Sequence, residues 1–161
     1  MNIIAYKYSR ALTKEDIVEL FEMLQRNESL SEVCRRIGID EKTVCNWDKV
    51  KELRDETKVK VLAEALRVMP LETLEFLADR SIDRSVEIIA HLLSIVYEDA
   101  ISTEDRKEFK KKFVKFRDIV SKYDISLVNK VRGEVNKLLY RLDEKARKLG
   151  VYSSIIAEGI E

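Results

Sequence analysis

The sequence predicts an all-helical protein, with a three-helix N-terminal unit followed by a helical region that carries two long heptad-like helices. Three observations predict it. Apolar residues recur at steps of three and four through most of the chain, which is the spacing of one helix face. The 161 residues include only one Pro and four Gly, so helix breakers are scarce. Charged residues make up 37% and hydrophobic residues 45%, a balance that suits amphipathic helices in water. The length suits one ordinary domain or two small ones.

Residues 1–12 mix Ile3, Ile4, Tyr6 and Tyr8 with polar neighbours. They are expected as an arm or a short extended strand, with Lys7 and Arg10 free to reach a polyanion, or as a terminus that packs its tyrosines. Thr13 opens the first clear helix. Asp16 sits three residues on, as a capping box requires, and Glu15 and Glu19 favour the positive end of the helix dipole. Ile17, Leu20, Phe21 and Leu24 form its apolar stripe.

Two shorter helices follow within Ser29–Arg54, SLSEVCRRIGIDEKTVCNWDKVKELR. Ser29 is a natural N-cap with Glu32 three residues on, and Leu30, Val33, Cys34 and Ile37 share one face. Gly38 falls where the chain must leave a helix through a left-handed residue. Asp40 caps the next helix, from which Val44 and Trp47 are expected to point inward.

This stretch resembles the helix-turn-helix DNA-binding motif of repressors, resolvase-type recombinases and transposases. Val33, Ile37 and Ile39 stand at its apolar positions, Gly38 at its turn glycine, and Val44 and Trp47 at the buried pair of its recognition helix. Cys34 stands where the family usually has Ala or Gly, at the close crossing of the two helices. The resemblance implies a DNA-binding domain over residues 1–54, with a helical domain for self-association or partner binding over residues 55–161.

The resemblance also implies which residues meet DNA. With Val44 and Trp47 inward, Glu41, Lys42, Thr43, Cys45, Asn46 and Lys49 face away. Asn46 suits adenine, Thr43 or Cys45 a thymine methyl, and Lys42 guanine or phosphate. Ser31, Arg35 and Lys49 are the candidates for phosphate contacts, which position without reading sequence. Glu41 and Asp48 oppose binding. The net charge over Ser29–Arg54 is only +1, so affinity must come from two copies or from other basic segments.

Beyond Arg54, Val59, Leu62, Ala63 and Leu66 mark a helix that ends before Pro70, and Pro70 suits the first turn of the next. Asp83 is expected to cap a helix containing VEIIAHLLSIVY, apolar on most sides, with His91 on its narrow polar stripe. Ser102, with Asp105, is expected to cap another. Phe109, Phe113, Phe116, Val120 and Tyr123, then Val128, Val131, Val135, Leu138, Leu142 and Leu149, form two heptad-like seams. These helices could pair within one chain or zip against a second. Gly133 is expected to allow close approach, Gly150 to end the last helix, and the tail to add a turn or fray.

Net charge is zero overall but uneven, with −5 over Asp55–Asp99 and +7 over Ala100–Leu149. The basic helices could lie along DNA, neutralise the acidic segment or face solvent. No phosphate loop, nucleophile elbow or HExxH is present, and His91 is the only histidine, so no enzyme activity is expected. Cys34 and Cys45 lack further ligands at zinc spacing, and no cofactor or metal is expected. No secretory signal or apolar run of membrane-spanning length appears, and a cytoplasmic protein without a membrane partner is expected.

The function expected from the resemblance is sequence-specific binding of double-stranded DNA, by a transcriptional regulator acting as a homodimer. Two alternatives stay open: a helical protein-interaction or scaffold protein, and a DNA-binding accessory factor in plasmid or viral replication or partition.

Overall fold

A computed structural model describes residues 3–80, 86–123 and 129–151, with backbone alone for residues 129–132. Every regular element among them is helical, and none of these helices is long and apolar enough to cross a membrane. The chain divides into two compact units, Met1–Asp83 and Arg84–Glu161. The expected cap at Asp83, the seam residue Val128, the side chain of Val131 and the tail from residue 152 lie outside the described residues.

The first unit begins with a helix, in place of the arm or short strand that was one expectation and in keeping with the packed terminus that was the other. Helix α1 (Ile3–Tyr8) runs into a 3-10 turn at Ser9–Ala11. Ala5, Tyr8 and Leu12 are buried, so the segment joins the core, while Tyr6 stays exposed. Of its two cations, Arg10 pairs with Asp55 at 3.6 Å and Lys7 lies over the Tyr8 ring. Helix α2 (Lys14–Leu24) opens on a complete capping box between Thr13 and Asp16, and buries Ile17, Leu20, Phe21 and Leu24. Helix α3 (Leu30–Ile37), capped by Ser29, buries Val33, Cys34 and Ile37. Helix α4 (Glu41–Cys45) is only five residues long and continues as a 3-10 turn at Trp47–Lys49.

Two further helices belong to this unit, α5 (Asp55–Val68) and α6 (Pro70–Asp79, with Pro70 in its first turn). The sequence placed a boundary after Arg54. In the structure α5 packs on α1, α2 and α3, and α6 packs on α5. The reason is polar as much as apolar. Val61, Leu62, Ala65 and Leu66 are buried, and so are Lys58 and Glu64. Lys58 Nζ donates to the Leu12 carbonyl at 2.7 Å, which satisfies a cation that would otherwise be expensive to bury. Glu64 accepts from Arg67 on its own helix and pairs with Arg36 of α3 at 2.9 Å, while Arg36 also grips Glu28 with a bidentate fork. Arg80, just past α6, reaches back to Asp16 and Glu19 of α2, and Arg26 pairs with Glu72 at 2.9 Å.

The second unit is built around helix α7 (Val86–Ser102), against which α8 (Arg106–Lys122) and α9 (Asn129–Lys148) both pack. Ile88, Ile89, Leu92, Leu93 and Val96 supply the core side of α7, and His91 is exposed. The α8 seam of Phe109, Phe113, Phe116 and Tyr123 is buried, with Ile119 rather than the half-buried Val120 as its fourth residue. Val135, Leu142 and Ala146 of α9 are buried with it. The aromatic seam is therefore consumed within one chain, on α7. Asp105, not Ser102, caps α8, its carboxylate accepting from the Glu108 N–H at 3.0 Å. Lys145 donates to the Ile101 carbonyl near the end of α7, and Lys112 bonds Asp99 at 3.2 Å, so part of the basic charge neutralises the acidic segment. Among the described residues a side chain at Gly133 would meet nothing within 4 Å. Burial raises the Asp143 carboxyl above its usual range, against the pull of Arg117 and Arg147.

Hydrogen bonds from Arg67 hold the Glu64 carboxyl below its usual range against the opposing effect of burial, and Arg36 adds to the lowering. A depressed carboxylate stabilises the fold above its unfolded pKa, and this contribution is lost as pH falls through the folded pKa. Glu64→Gln is expected to cost about 1–3 kcal/mol at pH 7. The gap from the parent protein should close in that acid window. Urea unfolding at several pH values, followed by the emission of Trp47, measures both, because Trp47 is the chain's only tryptophan. A gap that stays constant with pH would contradict the assignment.

Candidate nucleic-acid interface

The segment from Ser29 to Val50 is set by local chemistry first. The Ser29 hydroxyl accepts from the Glu32 N–H at 3.2 Å and starts α3. Glu32 does not complete a reciprocal box, because its carboxylate pairs with Arg35 one turn on. Gly38 ends α3 in the left-handed region, with φ 80°, and its N–H returns to the Cys34 carbonyl at 2.9 Å. The Asp40 carboxylate then accepts from the Lys42 N–H at 3.1 Å and starts α4. Each step is a short-range bond that the residue type makes available.

A helix of five residues does not persist in water by itself. Helix α4 packs on α3 and on the 3-10 turn that follows it, and that turn is anchored by one residue. Trp47 is 5% exposed and meets Phe21 of α2 edge to face, with ring centroids 5.2 Å apart and planes at 82°. Val44 is only half-buried. The chain is tied down again after the 3-10 turn, where Lys14 Nζ donates to the Val50 carbonyl at 2.7 Å.

This anchoring decides what α4 presents. Lys42, Thr43 and Asn46 are exposed, and Lys42 and Asn46 share a face at i, i+4 spacing. Lys49 is exposed in the 3-10 turn, and Ser31 and Arg35 are exposed on α3. Arg35 is engaged with Glu32 in a pair in which both side chains are more than half exposed, an arrangement that contributes little and exchanges readily. Cys45 is exposed too, three residues from Lys42 on the margin of the same face. With Val44, Trp47 and Asp48 it borders a groove of about 690 Å³ between α4 and α2. Lys42, Thr43, Asn46 and Lys49 do not border that groove. The seven candidate contacts thus divide into six outward polar residues and one thiol in the groove.

The groove was not anticipated from sequence. Its α2 wall is Lys14, Glu15, Val18, Glu19, Phe21, Glu22 and Gln25. No pattern within α2 alone marks this face, because it becomes a concavity only once α4 is laid beside it. Among the described residues no cluster of His, Cys, Asp and Glu is placed to hold a metal ion. Searches among family models, curated proteins and solved structures find no match to this chain.

Two outcomes are expected here. Burial pushes the Cys34 thiol above its usual value, and Glu41, Cys45 and Asp40 nearby push the same way. Cys34 is buried and Cys45 exposed. A thiol reagent at pH 8 should therefore modify Cys45 at least about ten times faster than Cys34, as peptide mapping by mass spectrometry would register. Among the described residues Gly38→Ala meets no atom within 4 Å, so its expected cost is backbone strain, about 1–2 kcal/mol in urea unfolding. A larger loss would mean that Gly38 serves packing as well.

Proposed function

We propose that this protein binds double-stranded DNA sequence-specifically through a helix-turn-helix formed by α3, the Gly38 turn and α4, and that it acts as a transcriptional regulator in paired copies. The observation that carries the reading is the sidedness of α4. Val44 is half-buried and the turn after α4 is fixed by Trp47 on Phe21, while Lys42, Thr43 and Asn46 stay uncovered on a backbone held at both ends. Rigid presentation of a few donors and acceptors is what base-edge recognition requires.

In this reading Asn46 pairs with adenine, Lys42 with guanine or phosphate, and Thr43 touches a thymine methyl. Ser31, Arg35 and Lys49 position the helix on phosphates. Cys45 takes no part, since it borders the groove. A helix this short reads few base pairs, and the surrounding net charge of +1 supplies little non-specific affinity. Two copies on half-sites one helical turn apart, about 34 Å, supply the rest. The interaction-protein reading is favoured by a different observation, the apolar groove behind α4, and the two readings are compatible.

Selection from a random duplex pool is expected to enrich a two-fold-related site. The double variant Lys42→Ala, Asn46→Ala should lower the preference for that site over random duplex by at least about tenfold, one or two contacts at 1–3 kcal/mol each. Helix content should not change. The proposal fails if no sequence is enriched at low salt, or if the double variant binds the selected site as the parent does.

A further inference from the structure

The groove between α2 and α4 is a concavity of about 690 Å³ in the first unit that the proposed DNA contacts at Lys42, Thr43 and Asn46 do not line. Its floor is apolar and aromatic, made by Val18, Phe21, Val44 and Trp47. Its rim is acidic, with Glu15, Glu19, Glu22 and Asp48 against a single cation, Lys14. Glu19 is held by Arg80, and Lys14 is bound to the Val50 carbonyl. Among the described residues no cation sits on the carboxylates of Glu15, Glu22 or Asp48. Three unneutralised acids beside an apolar trough repel a polyanion and attract a cation that carries apolar surface.

The length of the groove narrows the class. Its lining runs from Lys14 to Gln25, the whole of α2 and its C-cap. At 1.5 Å per residue that is about 16 Å, three turns of a helix laid alongside. Glu15 and Glu22 are two turns apart on the same wall, the spacing at which a second helix repeats its own flanking side chains. We propose that this groove docks a basic amphipathic helix of a partner protein. Two or three large apolar residues at i, i+3/i+4 and i+7 enter the trough over Phe21 and Trp47. Lysines or arginines beside them meet Glu15, Glu22 and Asp48. This is helix-in-groove recognition, with apolar anchors for affinity and complementary charge for choice of partner. Neither part depends on the DNA-binding reading.

The chain carries its own reporters. Trp47 is its only tryptophan, and Cys45 is exposed on the groove wall. The probe is an eighteen-residue amphipathic Leu/Lys helical peptide, titrated into the full chain. It is compared with a Leu/Glu peptide of the same pattern and with a Leu/Lys peptide of scrambled order. The amphipathic Leu/Lys peptide should shift Trp47 emission saturably and slow alkylation of Cys45. The other two should bind at least about tenfold more weakly. Glu15→Gln, Glu22→Gln, Asp48→Asn should weaken the Leu/Lys peptide at least about tenfold with helix content unchanged. Asp48→Asn alone, which leaves α2 untouched, should weaken it in the same direction. Failure to bind by 1 mM peptide would overturn the proposal. So would equal binding of the Leu/Glu or scrambled peptide, or indifference to the neutralised acids. None of these outcomes bears on Lys42 or Asn46, so the two proposals fail separately.

Discussion

One contact organises the candidate interface in the first unit: the edge of Trp47 against Phe21. Helix α4 is too short to hold its own shape, because the cost of nucleation is spread over so few hydrogen bonds. Its caps at Asp40 and Gly38 set where it starts and how the chain arrives. They do not set which way it faces. The buried indole restricts it, because Trp47 fixes the 3-10 turn directly after α4 on Phe21 while α4 itself packs on α3. From that setting follow the exposure of Lys42, Thr43 and Asn46 on one side and the groove on the other. A smaller apolar residue at this position would bury less surface and permit more orientations, and both faces of α4 would lose definition together.

The second dependence is electrostatic and less local. Arg36 links α3 to Glu64 of α5, while Arg80 and Arg26 link α2 to the far end of α6 and to Glu72. Lys58 sits in the core on the Leu12 carbonyl. Surface ion pairs contribute little one at a time, but Glu64 and Lys58 are buried. Removing one partner of either leaves a polar group without water, which is costly in a way that an exposed pair is not. Together with the burial of Val61, Leu62, Ala65 and Leu66, these bonds attach α5 and α6 to the N-terminal helices.

What could be read from sequence and what could not divides along the same line. Thr13 with Asp16, Ser29, Gly38, Asp40 and Pro70 act on residues within one turn, so their roles were legible from spacing. The buried seam of Phe109, Phe113 and Phe116 was legible because 3.6-residue periodicity is a local property. The attachment of α5 was not, since nothing in the spacing of Arg36 and Glu64 says that they meet. The N-terminal helix was missed because Ile3, Ile4, Tyr6 and Tyr8 carry a mixed pattern that burial against α5 resolves. At the candidate interface, periodicity marked Lys42, Thr43, Cys45 and Asn46 as outward, and all four are exposed, but it gave no sign that Cys45 also borders a groove. The groove itself needed two helices and was invisible to any reading of one.

Charge on the two sides of α4 is opposite, and that bears on how a chain of zero net charge could serve both proposed partners. Lys42 and Lys49 stand off the groove, while Glu15, Glu22 and Asp48 line it. An α-helix with its side chains is about 10–12 Å across. At physiological salt the Debye length is about 8 Å. Acids on the groove side are thus largely screened from a phosphate held on the far side, and the weak positive charge there is not cancelled by them. Partners of opposite sign could use one short helix without contending for it, provided the helix cannot roll. Trp47 on Phe21 is what prevents the roll, so the same contact that presents the polar face also keeps the two charge environments apart.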